Sequence, residues 1–209
     1  QAALSLALAA GCVLLAAGFS SYSNLRVIQA DIAFKTGDVF ARPESWPVSI
    51  AVYQRANQLA PNEDYYYLFL GRAYLEYAKT LGDVPEREAV VEMAARDLKR
   101  AQEINPLNTD HTANLARLYS LWATFASDPN LRQERGRTSS DYFSQAVSLS
   151  PKSARIYDEW AVLLLSVLGE PTEAKARLDQ ALEIDPYYDW TYALLANYYV
   201  QEVAGKLTD

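Results

Sequence analysis

The chain has 209 residues, a formal net charge of −7, one cysteine and one histidine. An acidic chain without clustered Lys and Arg is no nucleic-acid binder, because neutralising phosphates needs such clusters. A single cysteine rules out a disulfide framework and a cysteine-based metal site.

From Ala2 to Phe19 there is no charged residue, and Ser5 is the one strongly polar side chain. Eighteen residues at helical rise span ~27 Å, close to the hydrocarbon thickness of a bilayer. Residues 1–23 are therefore expected to form an apolar, transmembrane helix, with the membrane contacted through residues 2–19. Other readings stay open: a packing helix in an assembly, a signal-like segment, or a lipoprotein-type box at Ala9-Ala10-Gly11-Cys12. The absence of an initiator Met at Gln1 leads us to expect a processed or partial chain. Tyr22 sits where an interfacial aromatic belongs. Asn24–Asp31 contains no helix breaker, so the apolar segment is expected to run almost directly into the first helix of the remaining chain. Arg26 and Lys35 are too few to fix sidedness.

Residues 24–209 carry a repeat. Ala-x4-Pro occurs at Ala56/Pro61, Ala101/Pro106, Ala146/Pro151 and Ala181/Pro186, with prolines 45, 45 and 35 residues apart. In the clearest unit, Leu70 and Tyr74 share a helix face while Gly71 admits another backbone. Ala94, Leu98 and Ala101 then form one apolar stripe on a second helix, and Pro106 stops it. Arg42–Pro47 is the turn inside the first unit, with Ser45 or Pro47 opening the next helix. Polar segments around Thr80–Glu88 and Ser127–Arg137, roughly eleven residues beyond the usual period, are expected to form longer turns between paired helices.

These residues resemble the tetratricopeptide repeat (TPR). Units fall at about 30–63, 64–108, 109–153 and 154–188, with a final helix at 189–204. Gly37, Tyr53, Ala56 and Pro61 match in the first, and Leu115-Ala116, Phe143 and Ala146 in the third. Trp160-Ala161, Leu178 and Ala181 match in the fourth, and Ser49 and Ser139 stand where small residues are expected. Three units carry Ala for Gly. The resemblance implies an all-α, right-handed helical solenoid.

Chemistry is sparse. His111 reads as a polar residue in a helix's first turn, and no metal spacing, phosphate loop or dinucleotide fingerprint occurs. We expect no catalytic residue, cofactor or metal in this segment. In TPR-like packing the first helices form a groove. Carrying that geometry over places on it Asp31, Phe34, Asp38, Tyr65, Leu68, Arg72, Asp110, Ala113, Arg117, Arg155, Asp158, Trp190, Ala193 and Asn197. Tyr65, Arg72, Arg117, Arg155 and Trp190 are the candidate partner-binding residues. Three guanidiniums on one wall suit a carboxylate or acidic peptide, unless they pair with Asp110, Asp158 and their neighbours.

The junction SSYSNLRVIQADIAFKTGD, followed by the first two repeats, resembles the C-terminal part of bacterial O-antigen ligase/polymerase-like membrane proteins. That resemblance implies a cell envelope, a membrane region upstream bearing any glycosyltransferase chemistry, and a protein or peptide partner held by the repeats. The alternative is a structural subunit that assembles with copies of itself into a filament or envelope complex. The apolar final helix, Trp190–Val200, favours that alternative.

Overall fold

The structure, a computed structural model, describes residues 2–205. Its described residues form helices α1 (Ala2–Val39), α2 (Trp46–Leu59), α3 (Asp64–Thr80), α4 (Pro85–Ile104) and α5 (Thr109–Phe125). Beyond these lie α6 (Pro129–Leu149), α7 (Ala154–Leu163), α8 (Pro171–Ile184) and α9 (Asp189–Val203). Neighbouring helices pair in chain order, α1 with α2, α3 with α4, α5 with α6 and α7 with α8. This is an all-α helix–turn–helix solenoid, in which α9 follows the fourth pair.

The Ala-x4-Pro signature has a direct mechanical meaning. Ala56, Ala101, Ala146 and Ala181 are each fully buried. Their carbonyls accept the last helical hydrogen bond, from the N–H of Ala60, Asn105, Ser150 and Asp185. The proline that follows has no N–H to continue the ladder, so the chain turns at the same point in every unit. Starts are equally explicit. Pro85, Pro129 and Pro171 open α4, α6 and α8, where a missing N–H costs nothing. Asn108 and Asp128 cap α5 and α6 by accepting from the N–H of Asp110 and Asn130.

Within each unit the close contact falls where the small residue stands. A Cβ on Gly71 would lie 2.6 Å from Leu98 Cγ, and one on Gly37 would lie 2.7 Å from the Tyr53 ring. Ser49 and Ser139 do more than fill a small site: each donates its hydroxyl to the facing helix, to Gly37 O and Ala116 O.

One expectation needs correction. The polar insertions are not long turns; the turns shrink to residues 81–84 and 126–128, and the added residues lengthen the helices. Helices α4 and α6 run for 20 and 21 residues against 14 for α2 and α8. The extra turns are held by new contacts. Arg135 is buried, pairs with Glu88 and lies 4.2 Å over the Trp122 ring, whose Nε1 donates to Glu88. In the shorter fourth unit, α7 passes into a π-helical turn, Leu164–Leu168, which ends at Gly169 with φ 68°. That turn sets Val167 and Leu168 against Gly136 of α6.

As the lack of a helix breaker in Asn24–Asp31 led us to expect, α1 runs directly from the apolar segment into the first unit. The helix is continuous, and only its surroundings change. The large apolar side chains from Leu6 to Ile28 are exposed, whereas Ala30 is fully buried against the solenoid. Arg26 is where the hold begins, donating from Nη2 to Gln58 O at the end of α2.

Candidate functional site: the concave groove

The first helices of successive units, α3, α5 and α7, together with the start of α9, line one open cavity of about 970 Å³. Tyr65, Arg72, Arg117, Arg155 and Trp190 all face it. The repeat brings them together. Tyr65, Asp110, Arg155 and Trp190 each stand four residues after a unit-ending proline, and Arg72 and Arg117 each stand eleven after.

Other expected groove residues lie elsewhere. No α1 residue lines the cavity: Phe34 packs into a cluster with Tyr53, Tyr65, Tyr66 and Phe69. Asp31 accepts from the Tyr66 hydroxyl, and Asp38 lies beside that of Tyr53. Ala113 and Asp158 are buried, and Ala193 and Asn197 are not among the residues lining the cavity. Asp158 turns inward because Thr191 of α9 donates to its Oδ2 at 2.8 Å. Burial pushes its carboxyl up to about 6, opposed by the Thr191 hydrogen bond and reinforced by neighbouring Glu159.

Electrostatics single out one residue that sequence reasoning missed. Glu159 takes both Arg117 (Nε to Oε2, 2.8 Å) and Arg155 (Nε to Oε1, 2.9 Å), so one carboxylate bridges two guanidiniums. Neither Asp110 nor Asp158 plays that part. Its i,i+4 spacing from Arg155 was the available signal; the link to Arg117, 42 residues away, had none. Glu76 is paired with Lys79 at 2.5 Å. Arg72 rests 5.2 Å over the Phe69 ring and has no carboxylate partner among the described residues. Four cations (Arg72, Lys79, Arg117, Arg155) and three carboxylates (Glu76, Asp110, Glu159) line the groove. It is thus locally cationic in a chain of net charge −7, between aromatic groups at Tyr65 and Phe69 and at Tyr188 and Trp190.

His111 stands in the first turn of α5, as expected, lies outside this groove and is fully buried. Its Nε2 is 2.6 Å from Asp64 Oδ2, which also accepts from Asn105 Nδ2. Burial pushes the Asp64 carboxyl upward, but the His111 and Asn105 hydrogen bonds outweigh it and hold the group below its usual value. The contact joins the second unit to the third. Tyr66–Asp31 and Thr191–Asp158 make comparable bridges, and Tyr66, His111 and Thr191 all stand five residues after a unit-ending proline. These are joints between units, not a catalytic dyad. Among the described residues no group of His, Cys, Asp and Glu is arranged to hold a metal.

No protein-family model matches the sequence, and no curated protein matches it. Solved structures do resemble the fold. MamA MSR-1 is 18% identical with a TM-score of 0.56, over 75% of this chain and 77% of that one. PilF of Pseudomonas aeruginosa is 14% identical with a TM-score of 0.58, over 86% and 71%. TTC0263, a thermophilic TPR protein of Thermus thermophilus, is 17% identical with a TM-score of 0.50, over 82% and 99%. The architecture is the TPR-like helical solenoid.

Proposed function

We propose that this chain is a non-catalytic protein-interaction scaffold, anchored to a membrane through α1, whose groove captures an acidic peptide segment. The observation that carries the reading is the pairing pattern of the groove cations. Arg72 has no carboxylate partner among the described residues, while Arg117 and Arg155 share one. An incoming Asp or Glu side chain meets a guanidinium able to take it in a charge-assisted, bidentate hydrogen bond, with aromatic surface at either end. Membrane anchoring rests on the one described helix long and apolar enough to cross a bilayer, with a mean hydropathy of 1.6 in its apolar window and none of that window buried. The junction with the first two repeats extends the proposal to the interaction arm of an O-antigen ligase-like protein of the cell envelope.

The test is fluorescence anisotropy with a labelled Asp/Glu-rich decapeptide carrying one Phe. The native chain binds it, and affinity falls as salt rises. Arg72→Glu with Arg117→Glu abolishes binding while helicity is kept; unchanged binding refutes the groove assignment. Flotation with phospholipid vesicles, with and without residues 2–19, tests the anchor separately, and the mass of the native polypeptide tests the larger parent chain.

A further inference from the structure

Six residues after each unit-ending proline stand Tyr67, Thr112, Tyr157 and Tyr192. Three units carry an aromatic ring at this position and one does not. Tyr67 and Tyr157 are half-buried, and Tyr67 packs against the core cluster built from α2, α3, α4 and α5. Tyr192 shows how far such a ring reaches: its hydroxyl donates to the carbonyl oxygen of Pro186 at 2.9 Å, back across the turn before its own helix. In α5 the ring is missing, and an open cavity of about 570 Å³ lies there between α4 and α6. Thr112, 1% exposed, lies at its base. Gln102 and Pro106 line one side, and Gln145, Ser148 and Leu149 the other. Pro106 stands to Thr112 as Pro186 stands to Tyr192. Both bounding helices and a full unit on either side are in place, so the space is left by the short side chain at position 112.

We infer that this cavity is a socket for a tyrosine side chain presented by a partner polypeptide. The fold itself names the occupant, because the other three units place a tyrosine at the same position. The lining suits that ring. Glu103, the one charged residue on it, is paired with Arg100 at 3.1 Å, so the socket offers aliphatic surface with amide and hydroxyl groups and no free charge. A tyrosine brings a rigid apolar ring with one polar tip, and the Pro106 carbonyl can accept from its hydroxyl as Pro186 accepts from Tyr192. A volume of about 570 Å³ falls within the range of about 300–1,000 Å³ usual for ligand pockets, and buried tyrosines are frequent anchors of protein interfaces. The socket is lined from α4 and α6 and shares no residue with the concave groove. It is thus a second site, independent of the acidic-peptide reading.

The test titrates N-acetyl-tyrosinamide into the full chain in lipid nanodiscs and reads the methyl resonances of Leu149. A saturable ring-current shift is expected there, with the buried Leu118 unmoved, and N-acetyl-leucinamide is expected to produce none. Thr112→Tyr supplies the missing ring, so Leu149 should be shifted before any probe is added and should no longer respond. Because position 112 is buried, Ser148→Trp provides a second variant at an exposed position, expected to close the mouth and abolish the response with unchanged helicity. The inference is overturned by the absence of a saturable shift, by an equal response to the leucine amide, or by a response that survives both substitutions. Tyr187 is 94% exposed, so a second copy of the chain could supply a ring. Leu149 resonances that move with protein concentration alone, and stop moving in Tyr187→Ser, would overturn a separate partner in favour of self-association.

Discussion

Gly71→Ala probes the repeat geometry most sharply. The new Cβ would lie 2.6 Å from Leu98 Cγ, 2.8 Å from Leu98 Cδ2 and 3.2 Å from the carbonyl oxygen of Ala94. Carbon atoms in contact prefer about 3.5–4.0 Å, so Leu98 must retreat by about 1 Å. It is fully buried, and the Ala94 oxygen belongs to the backbone of α4, so neither neighbour yields freely. Overpacking of this kind costs about 1–3 kcal/mol, while exchanging Gly for Ala inside a helix returns about 1 kcal/mol. The net expectation is a loss of up to about 2 kcal/mol in stability. Leu98→Ala alone should cost about 2–5 kcal/mol through the cavity it leaves. Together the two changes relieve each other, because the methyl enters space that Leu98 has vacated. The double variant should therefore be more stable than the sum of the singles by at least about 1 kcal/mol. Urea unfolding of the full chain in mild detergent, followed by circular dichroism in the far ultraviolet, measures all four corners of the cycle. Additivity of the two changes within about 0.5 kcal/mol would refute the contact.

The polar groups make three further predictions. Asp158 has a folded-state pKa raised to about 6, so its contribution is fully present below about pH 4 and is lost as pH rises through 6. Asp158→Asn keeps an acceptor for Thr191 and should gain about 2–3 kcal/mol over the native chain at about pH 7.5, but almost nothing at about pH 4; equal gains at both values would count against it. Asp64 has the opposite sign: its depressed pKa stabilises the fold at neutral pH, and that contribution disappears as acid protonates it. His111→Phe removes the shorter of the two side-chain hydrogen bonds to Asp64, should cost about 1–3 kcal/mol near neutral pH, and should flatten the acid limb of a stability–pH curve. Glu159→Gln releases Arg117 and Arg155 from their shared carboxylate and should raise affinity for the acidic decapeptide several-fold in anisotropy titrations; weaker binding would mean that Glu159 positions the guanidiniums.

The sequence disclosed what depends on spacing along one chain. Ala-x4-Pro marked the end of each second helix because the buried alanine carbonyl and the proline act locally, and Gly71 marked the tightest contact because no other residue fits there. The shared groove position of Arg72 and Arg117 followed from the same period. What remained hidden depends on contacts between units. Glu159 meets Arg117 across 42 residues, and His111 meets Asp64 across 47; neither distance is a multiple of the repeat. Asp158 was assigned to the groove by the period, yet burial and Thr191 turn it inward. The polar insertions looked like turns because residues on the solvent face of a helix have the composition of a loop. Burial of Val90, Val91 and Arg135 along the added turns decided for helix.

The continuity of α1 bears on how such a scaffold works. A flexible linker after residue 23 would let the groove sample every orientation relative to the apolar segment. Helix α1 instead runs unbroken from Ala2 to Val39. Arg26 fastens it to the end of α2, and from Ala30 onward it is part of the first unit's packing. On the proposed reading, the anchor therefore aims the groove as well as tethering it. Gly-Ser-Gly inserted after Tyr22 should leave the groove's affinity for the decapeptide unchanged in solution. The same insertion should weaken capture of a partner presented at a fixed height above a vesicle surface. Equal capture by both chains would show that the helix is a tether alone.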